Sequence, residues 1–243
     1  MRIKAITKYK GTAYYGWQKQ INQISVQQVI TDKLNQILNS EINIYASGRT
    51  DRGVHALGQV FHFDVFKEVD LDKLKYSLNS ILPSDISIIS LEEVSDDFHS
   101  RYSAISKHYR YIISFNEKDP FKLETTYNCL FPTDISLVKK AIKKFEGKHD
   151  FRNFTSKEED NDNFVREIYK IETKKNGNDL IVDLYANGFM RYMIRFLIGT
   201  SLAIGWGKEN LSYIDSLLDS SEERHIVSYK APPQGLCLME VIY

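Results

Sequence analysis

The chain has 243 residues, of which 42% are hydrophobic and 26% charged, and its formal net charge is zero. This composition is ordinary for a globular protein, and the length allows one large domain or two small ones. The two cysteines, Cys129 and Cys237, are too few for a disulfide framework and lack the spacing of metal ligands. The N-terminal residues carry charges within their apolar pattern, unlike a signal peptide, and no apolar run reaches the roughly 18 residues of a membrane span. We therefore expect a cytoplasmic protein.

The charges are unevenly distributed along the chain. Three segments contain basic residues and no acidic ones, namely Met1 to Thr31, His99 to Phe115 and Ala186 to Lys208. Zero net charge alone argues against a nucleic-acid partner, but a neutral chain with this arrangement can present a basic face to phosphates. Chance segregation of charge on solvated surfaces is the alternative.

The first half predicts an alternation of strands and helices. A strand over Arg2–Tyr9 leads to an aromatic loop and then to a helix that begins near Val26, with Ser25 as its N-cap. A second helix is expected over Leu71–Ile81, capped by Asp70. Four further strands are predicted, over Ile42–Ser47, Gln59–Val65, Ile86–Val94 and Ser106–Phe115.

The second half follows a similar order of elements. A helix over Ile135–Phe145 follows its expected cap Asp134, and the charged stretch from Lys157 to Asn163 predicts a mobile loop. The other predicted elements are strands over Arg166–Lys175, Asp179–Ala186 and Gly235–Val241, a hairpin turn at Asn176-Gly177-Asn178, and helices over Arg191–Ile204 and Asn210–Leu218. We expect an α+β fold of two halves, residues 1–115 and 116–243, that share one sheet because no Gly, Ser or Pro linker separates them.

The most informative segment runs from Gly48 to Leu57, between two of the predicted strands. Its glycines allow backbone conformations that crowd other residues, so such a loop can hold one carboxylate in a fixed place. Asp51 is that carboxylate, and Arg49 and Arg52 flank it. A tight turn in which Asp51 caps its own backbone is the alternative explanation.

This segment resembles the nucleophile motif of the TruA family of tRNA pseudouridine synthases. Other segments resemble the same family and occur in the family's order, namely Tyr14–Gln20, Phe98–Ala104, Lys107–Tyr111, Asn187–Arg195 and Gly235–Leu238. The matches extend over nearly all of the chain, and together they are far more specific than any one of them.

The resemblance implies a fold, an activity and partners. The fold is two RRM-like α/β halves that share a continuous, mostly antiparallel sheet flanked by helices, with the active site in the cleft between them. The activity is the isomerisation of uridine to pseudouridine at positions 38 to 40 of the tRNA anticodon stem-loop, by a homodimer with one tRNA across both subunits. The reaction consumes nothing, so neither a metal nor a nucleotide cofactor is expected.

By resemblance, Asp51 is the catalytic nucleophile. A carboxylate is a suitable nucleophile toward a sugar carbon. The sequence leaves open whether it attacks C1′ of the ribose, attacks C6 of the base, or removes a 2′ proton to form a glycal. In each route the carboxylate must be ionised near neutral pH, and a nearby guanidinium favours that state.

Arg195 is the candidate for that guanidinium. It lies in a predicted helix that is apolar on almost every side, so we expect it to be buried and to have an anionic partner. The family resemblance supplies Asp51 as the partner, and a structural pair with another carboxylate is the alternative. Arg191, four residues earlier, is expected on the same helix face.

Tyr109 corresponds to the active-site tyrosine of the family, whose ring can stack on the extracted uracil and whose hydroxyl can assist proton transfer. Strand alternation alone places Tyr109 in the core together with Tyr111, Ile113 and Phe115. Its assignment to the site therefore depends on the resemblance.

Further RNA-contacting residues are predicted around this set. Arg49 is expected to enter the RNA stack or hold the target base out, with a loop-bracing ion pair as the alternative. Leu236 is expected to line the pocket floor, unless it is ordinary core. The other candidates are Arg101 with the aromatic residues Phe98, His99 and Tyr102, and Arg166 beside the charged loop. Arg52 departs from the commonest bacterial pattern, in which a small residue follows the aspartate.

Three rival functions stay open on the sequence. A synthase of the same fold that acts on other RNA positions is the nearest rival. An RNA-binding module without activity is the second, and the set of Asp51, Tyr109 and Arg195 argues against it. A small-molecule enzyme whose loop matches by accident is the third, and it predicts no salt-dependent RNA binding.

Overall fold

The computed structural model describes residues 1–156, 163–219, 221 and 223–243. Within these ranges ten strands are numbered β1 to β10 in chain order: Arg2–Tyr9, Tyr45–Ala46, His55–Asp64, Ile86–Val94, Ser106–Ser114, Tyr127–Asn128, Gly147–Asp150, Val165–Asn176, Asp179–Ala186 and Leu236–Ile242. Five helices in the same ranges are numbered α1 to α5: Val26–Leu38, Leu71–Ile81, Ile135–Lys143, Met193–Gly205 and Ser212–Leu218. None of the helices so described is long and apolar enough to cross a membrane.

The chain divides into two compact units, one of Met1–Lys107 with Cys237–Tyr243 and the other of His108–Leu236. Both contain helices and mostly antiparallel strands, so the predicted α+β class is confirmed. The predicted mobile loop, Lys157 to Asn163, lies outside the described residues except for Asn163.

In the first unit the strands follow the order β4-β1-β3-β10, and β2 pairs with β3. Strand β1 is antiparallel to both of its neighbours, and its alternate residues Ile3 and Ala5 are fully buried. Strand β10 is parallel to β3, with Cys237 opposite His55. The C-terminal strand therefore covers the edge of β3 at the end where that strand begins.

The helices of the first unit begin where the sequence predicts them. Ser25 Oγ accepts a hydrogen bond from Gln28 N over 3.3 Å at the start of α1, and Asp70 Oδ1 accepts one from Lys73 N over 3.0 Å at the start of α2. These side chains satisfy backbone donors that have no partner within the helix. Helix α2 contacts both α1 and β4.

In the second unit the strands follow the order β5-β9-β8-β7, and β6 pairs with β5. Strands β7, β8 and β9 are antiparallel, and the β8–β9 hairpin turns at the predicted place, with Asn176 opposite Asp179. Asp134 caps α3 by accepting a hydrogen bond from Leu137 N over 3.0 Å, as predicted. Helices α3 and α4 pack against each other.

The predicted strand over Ile42–Ser47 is wrong in length, because only Tyr45–Ala46 pairs with β3. Ile42 and Ile44 are buried, which produces the alternating pattern of a strand. Their backbone groups bond to side chains of α1 instead: Ile42 N donates to Asn35 Oδ1 over 2.7 Å, and Gln27 Nε2 donates to Ile44 O over 3.1 Å.

Other boundaries differ by a few residues. Strand β3 begins at His55, so His55 to Leu57 belong to the strand and not to the connection predicted from Gly48 to Leu57. Helix α4 begins at Met193, because Tyr192 has a left-handed backbone conformation with φ of 63°. Strands β6 and β7, with two and four residues, are too short to show a period and were not predicted.

Candidate active site

Residues 47–54, called the Asp51 loop below, connect β2 to β3 in the first unit. At the start of this loop, Ser47 N donates a hydrogen bond to Val60 O over 2.8 Å, and Gln59 Nε2 donates one to Gly48 O over 3.0 Å. At its end, Val54 N donates to Asp51 O over 3.1 Å and closes a turn. Hydrogen bonds to β3 thus fix the first two residues of the loop, and the turn from Asp51 to Val54 fixes its last residues.

Thr50 is buried and is anchored by two neighbours. Its Oγ1 lies 2.8 Å from the hydroxyl oxygen of Tyr9, and its carbonyl accepts a hydrogen bond from Trp17 N over 3.0 Å. Burial raises the pKa of Tyr9, so this hydroxyl is protonated at neutral pH. Because Thr50 and Asp51 share a peptide bond, these contacts fix the backbone from which the Asp51 side chain projects.

Gly16 allows the aromatic segment, residues 14–17, to lie directly against the Asp51 loop. Its φ of +87° is a conformation that favours glycine. A Cβ atom at this position would lie 2.6 Å from Thr50 O and 3.2 Å from Arg52 N. Any side chain here would therefore displace the backbone on both sides of Asp51.

The three charged residues of the loop differ in exposure. Asp51 is half-buried, whereas Arg49 and Arg52 are exposed. The guanidinium carbon of Arg52 lies 4.2 Å from the centre of the Tyr15 ring, in a cation–π contact. Arg52, at a position where a small residue is commonest in bacteria, therefore connects the Asp51 loop to the aromatic segment through this contact.

Lys107 was not among the predicted site residues, although it lies in a segment that resembles the family. Its Nζ donates a hydrogen bond to Ser47 O over 2.7 Å, at the start of the Asp51 loop. Burial, together with the positive charge of Arg101, lowers the pKa of Lys107 from 10.5 to about 8. Lys107 and Ser47 are 60 positions apart, so no local pattern reveals their contact.

The predicted residues Phe98, His99, Arg101 and Tyr102 come together in the first unit, around His62 of β3. The His62 ring centre lies 4.7 Å from that of His99 and 6.2 Å from that of Phe98. Tyr102, which is 77% exposed, packs on His99 at 4.4 Å, and the Arg101 guanidinium lies 5.7 Å from the Tyr102 ring centre. These rings form an aromatic surface that carries an exposed cation.

His62 itself is neutral at physiological pH. Burial, together with the neighbouring His99 and Arg2, lowers its pKa from 6.5 to about 4. Its Nδ1 accepts a hydrogen bond from Ser100 N over 3.2 Å. His62 therefore supports the aromatic surface as an uncharged ring. It was not predicted in this role, because its ring contacts come from residues distant in sequence.

In the second unit, Tyr109 lies on β5 and is 7% exposed, with its ring edge-on to Phe189 at 5.3 Å. Tyr111, on the same strand face, is fully buried, and its hydroxyl donates a hydrogen bond to Pro232 O over 2.7 Å. Burial raises the pKa of Tyr111. Tyr111 is therefore core, as predicted. Leu236, also a predicted site residue, is buried as well.

Arg195 lies in the first turn of α4 and is half-buried, which is less burial than the apolar sequence of the helix predicts. The reason is its position near the start of the helix, since most of the residues that follow it are buried. Its Nε donates to Ala231 O over 2.8 Å, and its guanidinium carbon lies 5.3 Å from the Tyr192 ring centre.

Arg191 precedes α4 and does not share a helix face with Arg195, contrary to the prediction. The left-handed Tyr192 separates the two residues and breaks the helical spacing. Arg166, at the start of β8, is half-buried, and its Nη1 donates to Asn163 O over 2.8 Å and to Val165 O over 2.7 Å.

In the part of the chain that the structure describes, no group of three or more His, Cys, Asp or Glu side chains is arranged to hold a metal ion.

Comparison with known proteins identifies the family. The sequence model described as tRNA pseudouridine synthase matches residues 5–103 and 141–243. The protein named tRNA pseudouridine synthase A from Geotalea daltonii is 40% identical to this chain over 99% of both sequences. The protein of the same name from Thermoanaerobacter sp. strain X514 is 37% identical to this chain, also over 99% of both sequences. The protein of that name from Listeria monocytogenes serotype 4a is 38% identical over all of this chain and 99% of its own. The chain therefore belongs to the tRNA pseudouridine synthase family and is an enzyme of that class, which isomerises uridine to pseudouridine in tRNA.

Proposed function

We propose that this chain isomerises uridines at positions 38 to 40 of the tRNA anticodon stem-loop, with Asp51 as its catalytic nucleophile, and that it does so as a cytoplasmic homodimer. The observation that carries the proposal is the Asp51 loop. It holds a half-buried carboxylate on an anchored backbone, between two exposed arginines. A fixed carboxylate in a positively charged setting suits attack on a nucleotide.

The reaction breaks the bond between uracil N1 and ribose C1′ and forms a bond between C5 and C1′. The proton on C5 is lost and N1 gains one, so no oxidant, reductant or other reactant is needed. Asp51 acts by attack on C1′, by attack on C6, or by removal of a 2′ proton. All three routes require the ionised carboxylate, which a neighbouring cation stabilises.

The second unit is proposed to supply the other catalytic groups. Arg195 pairs with the Asp51 carboxylate and keeps it ionised, and Tyr109 stacks on the extracted uracil and assists proton transfer at C5. Leu236 lines the base pocket. Tyr109 is 7% exposed, and its ring packs edge-on to Phe189, which holds the phenol in a fixed orientation.

The remaining candidates are proposed to hold the RNA. Arg49 is exposed two residues before Asp51 and holds the target base out of its stack, at a cost of a few kcal/mol. The aromatic surface of Phe98, His99 and Tyr102 stacks on bases, and Arg101 contacts phosphate. Arg166 contributes a further contact to the RNA backbone.

The test is release of tritium from an unmodified tRNA transcript labelled at C5 of uridine, without added cofactor. We expect release from the wild type and from the control Asp72→Asn, whose carboxylate is exposed at the start of α2, but none from Asp51→Asn. Mapping pseudouridine in the product then tests positions 38 to 40 against other sites. Release from Asp51→Asn at the wild-type rate would refute the role of Asp51. Sedimentation equilibrium tests the dimer.

A further inference from the structure

Three cationic side chains surround one tyrosine ring at the start of α4. Lys230 Nζ lies 4.6 Å from the Tyr192 ring centre, and the guanidinium carbons of Arg191 and Arg195 lie at 4.9 Å and 5.3 Å. Arg191 Nη2 also donates a hydrogen bond to the Tyr192 hydroxyl over 3.1 Å. Cations this close repel each other, so the arrangement is most favourable when an anion lies among them.

Within the described residues, neither Arg191 nor Lys230 has a carboxylate partner, and both side chains are exposed. The surrounding sequence supplies none, because the segments from Ala186 to Lys208 and from His225 to Met239 contain no acidic residue. The positive charge of these two side chains is thus uncompensated by the protein's own nearby sequence.

The backbone that carries these cations is held in place. Arg195 and Ala231 exchange two hydrogen bonds, Ala231 N to Arg195 O over 2.9 Å and Arg195 Nε to Ala231 O over 2.8 Å. A Cβ at Gly199 would lie 2.5 Å from Tyr229 O, so only glycine lets the segment 229–231 pack this closely on α4. Lys230 is therefore presented from a rigid backbone rather than from a free loop.

The backbone conformation of Tyr192 is a second observation that points to a functional site. A bulky residue with φ of 63° is strained, and strained residues of this kind concentrate at functional sites. Cations occupy the surroundings of its ring, so the ring organises charge instead of stacking on a base. A site built in this way suits phosphate and gives no base discrimination.

We propose that Arg191, Tyr192 and Lys230 form a binding site for the phosphate backbone of the substrate RNA, next to Arg195. This inference rests on the proposed function, because it takes the substrate RNA as the ligand. Arg191 and Lys230 each contact a phosphate, and Tyr192 holds both cations in position. The site raises affinity for tRNA and orients the strand near Arg195 without taking part in the chemical step.

The test measures how tightly each protein binds an unmodified tRNA transcript at salt concentrations from about 50 to about 300 mM. The proteins compared are the wild type, Arg191→Gln, Lys230→Gln and the double variant. Each lost phosphate contact makes the slope of log K against log salt less steep by about 0.7 to 0.9. We expect this decrease in slope in each single variant and about twice this decrease in the double variant. At saturating tRNA, the rate of tritium release from each variant should stay within about twofold of the wild-type rate.

Lys175→Gln is the matched control, since Lys175 is an exposed lysine on β8 in the same unit and its removal changes the net charge equally. Its slope should match wild type. Unchanged slopes in both single variants, or an equal change in Lys175→Gln, would overturn the phosphate site. If the proposed function were wrong, the wild-type protein itself would release no tritium, whatever the salt dependence of tRNA binding. That outcome differs from failure of the phosphate site alone, in which the wild type still releases tritium.

Discussion

Replacement of Gly16 by alanine tests whether the aromatic segment positions the Asp51 loop. The φ of +87° costs an alanine about 1 to 2 kcal/mol, and the contact of 2.6 Å between the new Cβ and Thr50 O adds the cost of overpacking, about 1 to 3 kcal/mol. We therefore expect the free energy of unfolding to fall by about 2 to 5 kcal/mol, a large part of a typical stability of about 5 to 15 kcal/mol.

The same substitution should reduce activity beyond its effect on folding. To restore an ordinary contact, Thr50 O and the new Cβ must move apart by several tenths of an ångström, and Asp51 follows Thr50 in the backbone. A displacement of about 1 Å in a catalytic site can cost about 100-fold in rate. We expect kcat for tritium release to fall at least tenfold, at a temperature where the variant is fully folded by circular dichroism.

Gly207→Ala is the control for the backbone conformation alone. Gly207 has φ of +70°, and a Cβ there meets no atom within 4 Å. This variant should lose about 1 to 2 kcal/mol of stability and keep its kcat within about twofold. A folded Gly16→Ala protein with wild-type kcat would show that the aromatic segment does not position the Asp51 loop, and so would an equal loss of activity in Gly207→Ala.

Three further predictions each concern one buried or half-buried side chain. Tyr111→Phe leaves Pro232 O without its donor, so chemical denaturation should show a loss of about 1 to 3 kcal/mol with little change in KM for tRNA. The pKa of Lys107 is lower in the folded state than in the unfolded state, so the unfolded state binds more protons between pH 8 and 10.5. Stability should therefore rise with pH across that window in wild type, and this contribution should be missing from Lys107→Met. The pKa of His62 is lowered to about 4, so its contribution is lost as pH falls from 6.5 to 4, and acid titration of His62→Gln should show a weaker dependence there.

Elements with a local stop or start signal were predictable from the sequence. Helix α2 has the predicted bounds, Leu71–Ile81, because the Asp70 cap marks its start and Pro83 follows its end. Strand β2 has no such local signal at its start. Ile42 and Ile44 alternate like a strand, but their backbone partners are side chains of α1, which periodicity does not reveal.

The candidate site divides in the same way. The residues around Asp51 and those from Phe98 to Tyr102 are each contiguous in sequence, so their resemblance to family motifs was enough to make them candidates. Lys107 and Lys230 were missed because their contacts join positions far apart in the chain. The start of α4 was placed two residues early, because a tyrosine in a left-handed conformation has no sequence signal comparable with that of glycine.

The parallel pairing of β10 with β3 has a consequence for synthesis on the ribosome. Strand β3 carries His55 directly after the Asp51 loop, and its partner Cys237 is made 182 residues later. Until residues 236–242 emerge, the His55 end of that edge, which β2 does not cover, has no partner among the described strands and is open to aggregation or mispairing. The sheet of the nascent first unit is therefore incomplete until β10 has been translated, and a chaperone that shields this edge would raise the yield of active enzyme.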